Sequence, residues 1–400
     1  MKKLIGIGSV SIYLIYPFIC PIFSFLEDII HRYSSSLNNQ HQLVRSFFFF
    51  FSQIFCIFLE IISNYQQKRK KDTPKQEVLI INNEKIENEE KAESDKEVVL
   101  QKKHSNLLFI ILGTTILEYT VYCFLNILST NVDVSSTIQL EMKALPVFCI
   151  ALLNKYFLKY PFYRHHLVAV IIIFIGFITI LVFHIIFDPI NEDLKTTLIL
   201  VAIVSLLKVL RAIKEMLDTY ILQERYVSPF LLLFYQGIIG VIISMIFIAI
   251  GQNVQCSNYE RWDYCVNGYY ESIGTFFAIT RDVGSIFLVI GFILCIICIE
   301  VCRMQTKKYL TTIHRGLSCS ASAIFSWFFF LNLLSFGSLS SLQRVYEIFG
   351  FFFILLGGLI YCEVIIFYFG GLDENTKKEI QKRQAVEIEQ NINLSKISKN

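Results

Sequence analysis

Long apolar runs separated by short polar stretches set the pattern of this chain. The runs cover 4–26, 46–64, 106–129, 135–158, 166–187, 196–220, 229–251, 283–303, 312–334 and 345–368. Most are near the ~20 residues that a helix needs to cross a bilayer. Each is expected to be a membrane helix. The first follows Met1-Lys2-Lys3 and resembles a signal peptide in outline. Its length, Pro17, Pro21 and the lack of a clean small-residue cleavage site favour a retained helix. Two segments break the pattern. Residues 65–105 are rich in Lys, Glu, Asn and Gln with little periodicity, which predicts a largely disordered cytosolic insert. The tail, 369–400, is similar, with Ile380 and Ile388 on one face of a short candidate surface helix.

Composition agrees. Hydrophobic residues make up 54% of the 400, charged residues only 17%, and Phe alone supplies 37. With a mean hydropathy of +0.54, a soluble globular chain is excluded. The net charge of +3 carries no sign of nucleic acid.

Lys and Arg in the loops give the orientation. Lys68-Arg69-Lys70-Lys71 begins the basic insert, Lys159 and Arg164 mark loop 159–165, Arg303, Lys307 and Lys308 follow the eighth run, and the tail holds Lys377, Lys378, Lys382 and Arg383. Ten spans with both termini cytosolic place all of these on one side. Loops 130–134, 188–195 and 335–344 are poor in cations. Loop 27–45, with Arg32 and Arg45, fits less cleanly. Of the eleven cysteines, most lie inside apolar runs and read as small core residues. Cys256 and Cys265 share a polar loop, where an oxidising lumen would allow a disulfide.

Charge inside the apolar runs is where the candidate chemistry lies. Lys208, Arg211, Glu215 and Asp218 fall at i, i+3, i+7 and i+10, one face of a single helix. A charge at mid-membrane costs ~3 kcal/mol on insertion scales, so such a stripe points to a polar cavity. The alternative is an amphipathic helix end whose cations snorkel to the interface. Lys214 and Asp218 fit that reading; Lys208 lies too deep for it. Gln139 and Lys143 share a face of the fourth run, with Glu141 nearby, and His314 and Arg315 open the ninth. Lys143 either meets a substrate anion or pairs with a carboxylate of another helix; Arg315 either meets the same anion or snorkels. Glu118 is central in the third run, beside Tyr119 and Tyr122. It either carries protons or bonds to a neighbouring helix. Glu300, Glu347 and Glu363 are expected near the interface.

Cys295-x-x-Cys298-x-x-x-Cys302 has a metal-like spacing but no His beside it, so no metal is expected. There is no Gly-rich phosphate loop, no Ser/His/Asp set and no paired ATPase motif, hence no cofactor and no ATP-driven pump. His165-His166 is the one His pair that a membrane transferase would have to use.

Ten spans suggest two sets of five. The fourth and fifth runs carry Ser136-Thr137-Ile138 and Ala169…Gly176, the ninth and tenth Thr311-Thr312-Ile313 and Gly350…Gly357-Gly358. Small residues seven apart let helix backbones approach. An odd number of spans per half inverts the second copy, as in many secondary transporters.

Three stretches resemble the drug/metabolite transporter superfamily, and within it the solute carrier 35 group that includes nucleotide-sugar transporters. They are Gln139-x-x-x-Lys143-x-x-Pro146; Thr312-Ile-His-Arg315-Gly-Leu-Ser…Trp327 with Gln343…Gly350…Gly357…Tyr361; and Glu215-x-x-x-x-Tyr220…Tyr226-Val-Ser-Pro229…Tyr235-Gln-Gly237-x-x-Gly240. The last is similar to the F-type branch, in which Glu-Gly is commoner than Gln-Gly. The resemblance spans roughly 106–368. The Gly-Ala-Leu-Asn-Lys signature of GDP-mannose carriers is absent.

The resemblance implies an all-α, ten-helix inverted-repeat fold, with 1–187 and 196–368 as the two halves. It implies no enzyme but a secondary transporter of a small organic metabolite, working by alternating access in an endomembrane or, alternatively, the plasma membrane; the cation excess at Lys143, Lys208, Arg211 and Arg315 points to an anionic substrate. Its partners would be the substrate, the bilayer and, as an open option, a second copy of the chain, but no nucleic acid. Gln139, Lys143, Lys208, Arg211, Glu215 and Arg315 are the expected substrate residues, with Glu215 pairing with Arg211. Glu118 is the candidate for proton coupling, with a bond to a neighbouring helix as the equal alternative. A non-transporting scaffold or receptor and a membrane-embedded transferase remain the other readings.

Overall fold

The computed structural model describes residues 42–72, 107–125, 144–157, 163–187, 194–253, 265–266, 269–270, 283–309, 341–361, 363–368, 376, 379 and 383. Within them the protein is all-helical apart from one two-residue β-ladder. The helices are α1 (Gln42–Ile54), α2 (Cys56–Asp72), α3 (Leu107–Leu125), α4 (Ala144–Tyr156), α5 (Arg164–Phe187), α6 (Leu194–Gln223), α7 (Pro229–Gly251), α8 (Val283–Tyr309) and α9 (Ser341–Tyr361). The strands β1 (Cys265–Val266) and β2 (Tyr269–Tyr270) pair antiparallel.

Among the described residues, five helical stretches are long and apolar enough to cross a membrane: Leu43–Gln66, Leu107–Leu125, Arg164–Val182, Pro229–Gly251 and Ile286–Tyr309. At 1.5 Å per residue, α6 is roughly 45 Å long, enough to cross as well, although its charges set it apart by composition. Surface and interior are reversed relative to a soluble protein. Phe109 is 72% and Phe287 69% exposed, whereas Lys214 is 2% and Lys307 0% exposed. A bundle that hides ammonium groups and presents phenyl rings is built for a lipid surround. The chain is a helical membrane protein.

The first and ninth expected spans lie outside the described residues. Three boundaries differ most from the sequence expectation: those of α2, α8 and α9, the last ending at Tyr361, seven residues short of the expected 368. Helix α2 continues to Asp72, so the run Lys68–Lys71 ends a helix rather than opening a disordered segment. Helix α8 continues to Tyr309, six residues past the expected 303. Lys/Arg after an apolar run ordinarily mark a loop, but here Arg303 and Lys307 stay helical and buried. They therefore drop out of the loop charges that set orientation.

The chain divides into two compact units, Met1–Asp133 with Lys214–Thr312, and Val134–Ile213 with Ile313–Asn400. Each draws on both sequence halves, and the division falls inside α6.

In the first unit, α1 packs chiefly on α7. Gly237 and Gly240 make the approach possible. A Cβ at Gly237 would sit 2.9 Å from the Ile54 backbone nitrogen, and one at Gly240 would meet the Phe50 ring. The contact falls just before the turn at Phe55 that separates α1 from α2. Phe50 stacks on Tyr119 (centroids 5.8 Å apart) and Phe49 on Tyr122 (4.6 Å), tying the Phe-rich α1 to α3. The start of α7 is set by Ser228 as N-cap and Pro229 in the first turn. The Ser228 hydroxyl donates to the Glu60 carboxylate instead of capping its own helix.

In the second unit, α5 and α9 pack along most of their length. Their small residues meet: Gly176 lies against Gly350 O and Gly357 against Ala169 O, each 2.7 Å from where a Cβ would be. Ile173 and Ile180 fill the remaining space beside Gly357 and Gly350. The pairs 169–357 and 176–350 run in opposite directions, so the helices are antiparallel. Helix α9 ends in a Schellman motif, with Val364 N–H donating to Leu359 O (2.9 Å) and Glu363 N–H to Ile360 O (3.1 Å). Glu363 holds the left-handed position at φ 58°, usually a glycine's place. A side chain there costs roughly 1–2 kcal/mol.

Candidate functional site

Three helices of the first unit bring their intramembrane charges together. Helix α3 supplies Glu118, α6 supplies Lys214, Glu215 and Asp218, and α8 supplies Glu300, Arg303 and Lys307. All seven are nearly or fully buried. Lys214 Nζ lies 2.9 Å from both Glu118 Oε2 and Asp218 Oδ2. Lys307 Nζ lies 2.6 Å from both Asp218 Oδ2 and Glu215 Oε2. Arg303 Nη1 lies 2.6 Å from Glu300 Oε1 and 3.7 Å from Glu118 Oε1. The groups form one chain, Glu300–Arg303–Glu118–Lys214–Asp218–Lys307–Glu215.

Neutral side chains complete it. Gln236 of α7 donates to Asp218 Oδ1 (3.0 Å) and sits 3.2 Å from Thr114 Oγ1. Gln223 donates to the Lys307 carbonyl (2.7 Å), and Thr114 and Thr115 both donate to Ile111 O. Local sequence explains the placement. Glu215 and Asp218 are three apart on α6, and Lys214 and Asp218 four apart, which puts them on adjoining faces. On α8, Glu300, Arg303 and Lys307 repeat the i, i+3, i+7 spacing. An apolar shell of Cys56, Ile111, Ile221, Leu222, Leu232, Leu233 and Met304 forms a core in the same unit.

Desolvating one ion costs several kcal/mol even after relaxation, and mutual attraction offsets this only with close geometry and full hydrogen bonding. The 2.6–2.9 Å contacts supply that geometry. Opposed charges on three helices can hold them in register. They can also exchange partners when the helices move, because Lys214, Lys307 and Asp218 each already have two.

Of the residues expected from sequence, Glu118, Lys208, Arg211 and Glu215 are described. Glu118 and Glu215 belong to the network, and the close ion pair of Glu215 is with Lys307. Lys208 is 4% exposed and Arg211 half-buried on the part of α6 in the second unit. Gln139, Lys143, Arg315 and Cys256 lie outside the described residues; of Cys265 only its backbone place opposite Tyr270 is described. Snorkelling does not describe Lys214 or Asp218, which are enclosed. Glu300, expected at an interface, is 1% exposed and paired with Arg303. No site role was expected from sequence for Lys214, Glu300, Arg303 or Lys307. The signal for the last three was their helical spacing, of which ending the eighth span at 303 cut off Lys307.

No protein-family model and no curated protein matches the chain.

Proposed function

We propose that the protein is a secondary transporter of a small, anionic organic metabolite, working by alternating access. The observation that carries this is the buried seven-member ionic network in a membrane bundle. Intramembrane ions are costly and commonly mark substrate or ion pathways. An apolar replacement of similar volume is often no less stable, so stability alone gives little reason to keep such a network. In this reading Lys208 and Arg211, with Gln139, Lys143 and Arg315, hold the substrate anion. The network is the element that re-pairs, and Glu118, one of its members, carries the coupling proton. The sequence resemblance to the solute carrier 35 group supports the same function and an endomembrane location.

Substitution of Arg211 tests it. A charge-assisted bond is worth about 1.5–3 kcal/mol, so Arg211→Ala is expected to weaken apparent substrate affinity by roughly ten- to hundredfold. Arg211→Lys recovers little if binding is bidentate. Unchanged uptake affinity and rate in both Arg211→Ala and Lys208→Ala would remove these residues from the substrate site. The close mutual pairing within the network favours a second reading, a scaffold whose charges only lock helices together. That protein would move no solute.

A further inference from the structure

We propose that His165, His166 and Glu363 form a binding site for a divalent transition-metal ion of the zinc type. The proposal does not depend on transport. The three residues come from the start of α5 and the chain just after α9, which the antiparallel packing of those helices brings to one end of the pair. Their potential ligand atoms all lie within 4.8 Å of one another. His165 Nε2 is already 3.4 Å from Glu363 Oε1. A tetrahedral zinc with bonds of about 2.0–2.1 Å holds its donors roughly 3.3 Å apart. The His165–Glu363 pair therefore needs almost no movement, and the second imidazole needs a small one.

His165 is the strongest indication. It is 5% exposed; among the described residues its Nδ1 has no hydrogen-bond partner, and its Nε2 meets only the 3.4 Å contact with Glu363. Buried polar atoms are normally satisfied, and an orphaned imidazole beside a carboxylate lacks the group that would complete it. A small cavity borders the site, lined by His165, Ile360, Glu363, Phe367 and Thr376 among others. His166 is held by stacking on Tyr361 (centroids 4.5 Å apart) and lies 4.1 Å from the His165 ring. Its Nδ1 accepts a long 3.4 Å contact from the Tyr163 N–H, which a bound ion would displace or re-orient. Glu363 reaches the site from a left-handed backbone position where glycine is the usual occupant. Two imidazoles and one carboxylate are a donor set that zinc accepts, leaving a fourth position for water. Imidazole also selects against magnesium and calcium, which take oxygen ligands.

The test is titration of the purified full-length protein with Zn²⁺ against a chelating indicator. Wild type is expected to bind an ion that His165→Gln and Glu363→Gln each weaken by more than about tenfold. Cobalt substitution of wild type supplies a readout that no variant's folding can confuse. A site of nitrogen and oxygen donors gives visible bands without thiolate charge transfer in the near ultraviolet. No binding by folded wild type, unchanged affinity in both variants, or a cobalt spectrum dominated by thiolate charge transfer from the chain's cysteines would overturn the proposal.

Discussion

Asp218 is the residue on which the network turns. It accepts from Lys214 and Lys307 on one oxygen and from Gln236 on the other. Asp218→Ala removes the carboxylate that both ammonium groups share, in a region that is fully buried. Breaking a buried ion pair from one side costs about 3–5 kcal/mol, so a large loss of thermal stability in detergent is expected. Asp218→Leu combined with Lys307→Met is expected to be less damaging than Asp218→Leu alone. The two changes should depart from additivity by roughly 0.5–3 kcal/mol, as residues in one network do. Additive behaviour would mean that the pair carries no coupling. Glu215→Ala should likewise harm folding more than substrate affinity, because the cation that it leaves is Lys307. At this scale the sequence was half legible. The spacing of Glu215 and Asp218 marks the buried face of α6, and Lys208 is buried as well. Lys214 fits the snorkelling alternative by sequence, because proximity to a helix end does not reveal what packs over it.

Among the elements, hydropathy located the helices well where composition changes sharply. The seventh span was expected at 229–251 and α7 is Pro229–Gly251; the fifth was expected at 166–187 and α5 is Arg164–Phe187. It failed at the end of α8, where burial of Lys307 against Glu215 and Asp218 lets the helix continue through charges. The small residues of the fifth and tenth runs were seen as backbone-approach positions, and α5 and α9 meet through them. Gly357→Ala would place a Cβ 2.7 Å from Ala169 O, and Gly176→Ala one 2.7 Å from Gly350 O. Overpacking of this kind costs about 1–3 kcal/mol, so each variant should melt earlier than wild type. Gly113→Ala on α3 is the control, with nothing within 4 Å of its new Cβ. It should hold or raise stability, since Ala is favoured over Gly in a helix by about 1 kcal/mol. Equal effects at all three positions would show that the α5–α9 contact is not close-packed.

For the whole molecule, the buried position of Arg303 and Lys307 leaves orientation resting on the insert, loop 159–165 and the tail. The start of α5 and the end of α9 lie at one end of their antiparallel pair, consistent with loop 159–165 and the tail sharing a side. Protease added outside sealed vesicles whose outer face is cytosolic should clip near residues 85 and 385. Protection of either site would overturn the orientation.

Uptake by the purified protein in proteoliposomes is the most direct measurement of all. A panel of nucleotide sugars, other organic anions, amines and amino acids, with and without an imposed proton gradient, covers the solutes and the coupling at issue. Saturable uptake of an anionic metabolite, accelerated by unlabelled substrate on the far side or driven by the gradient, is the predicted result. Absence of saturable uptake across the panel, by protein that still melts cooperatively, would contradict a transporter and leave the buried charges as a helix lock.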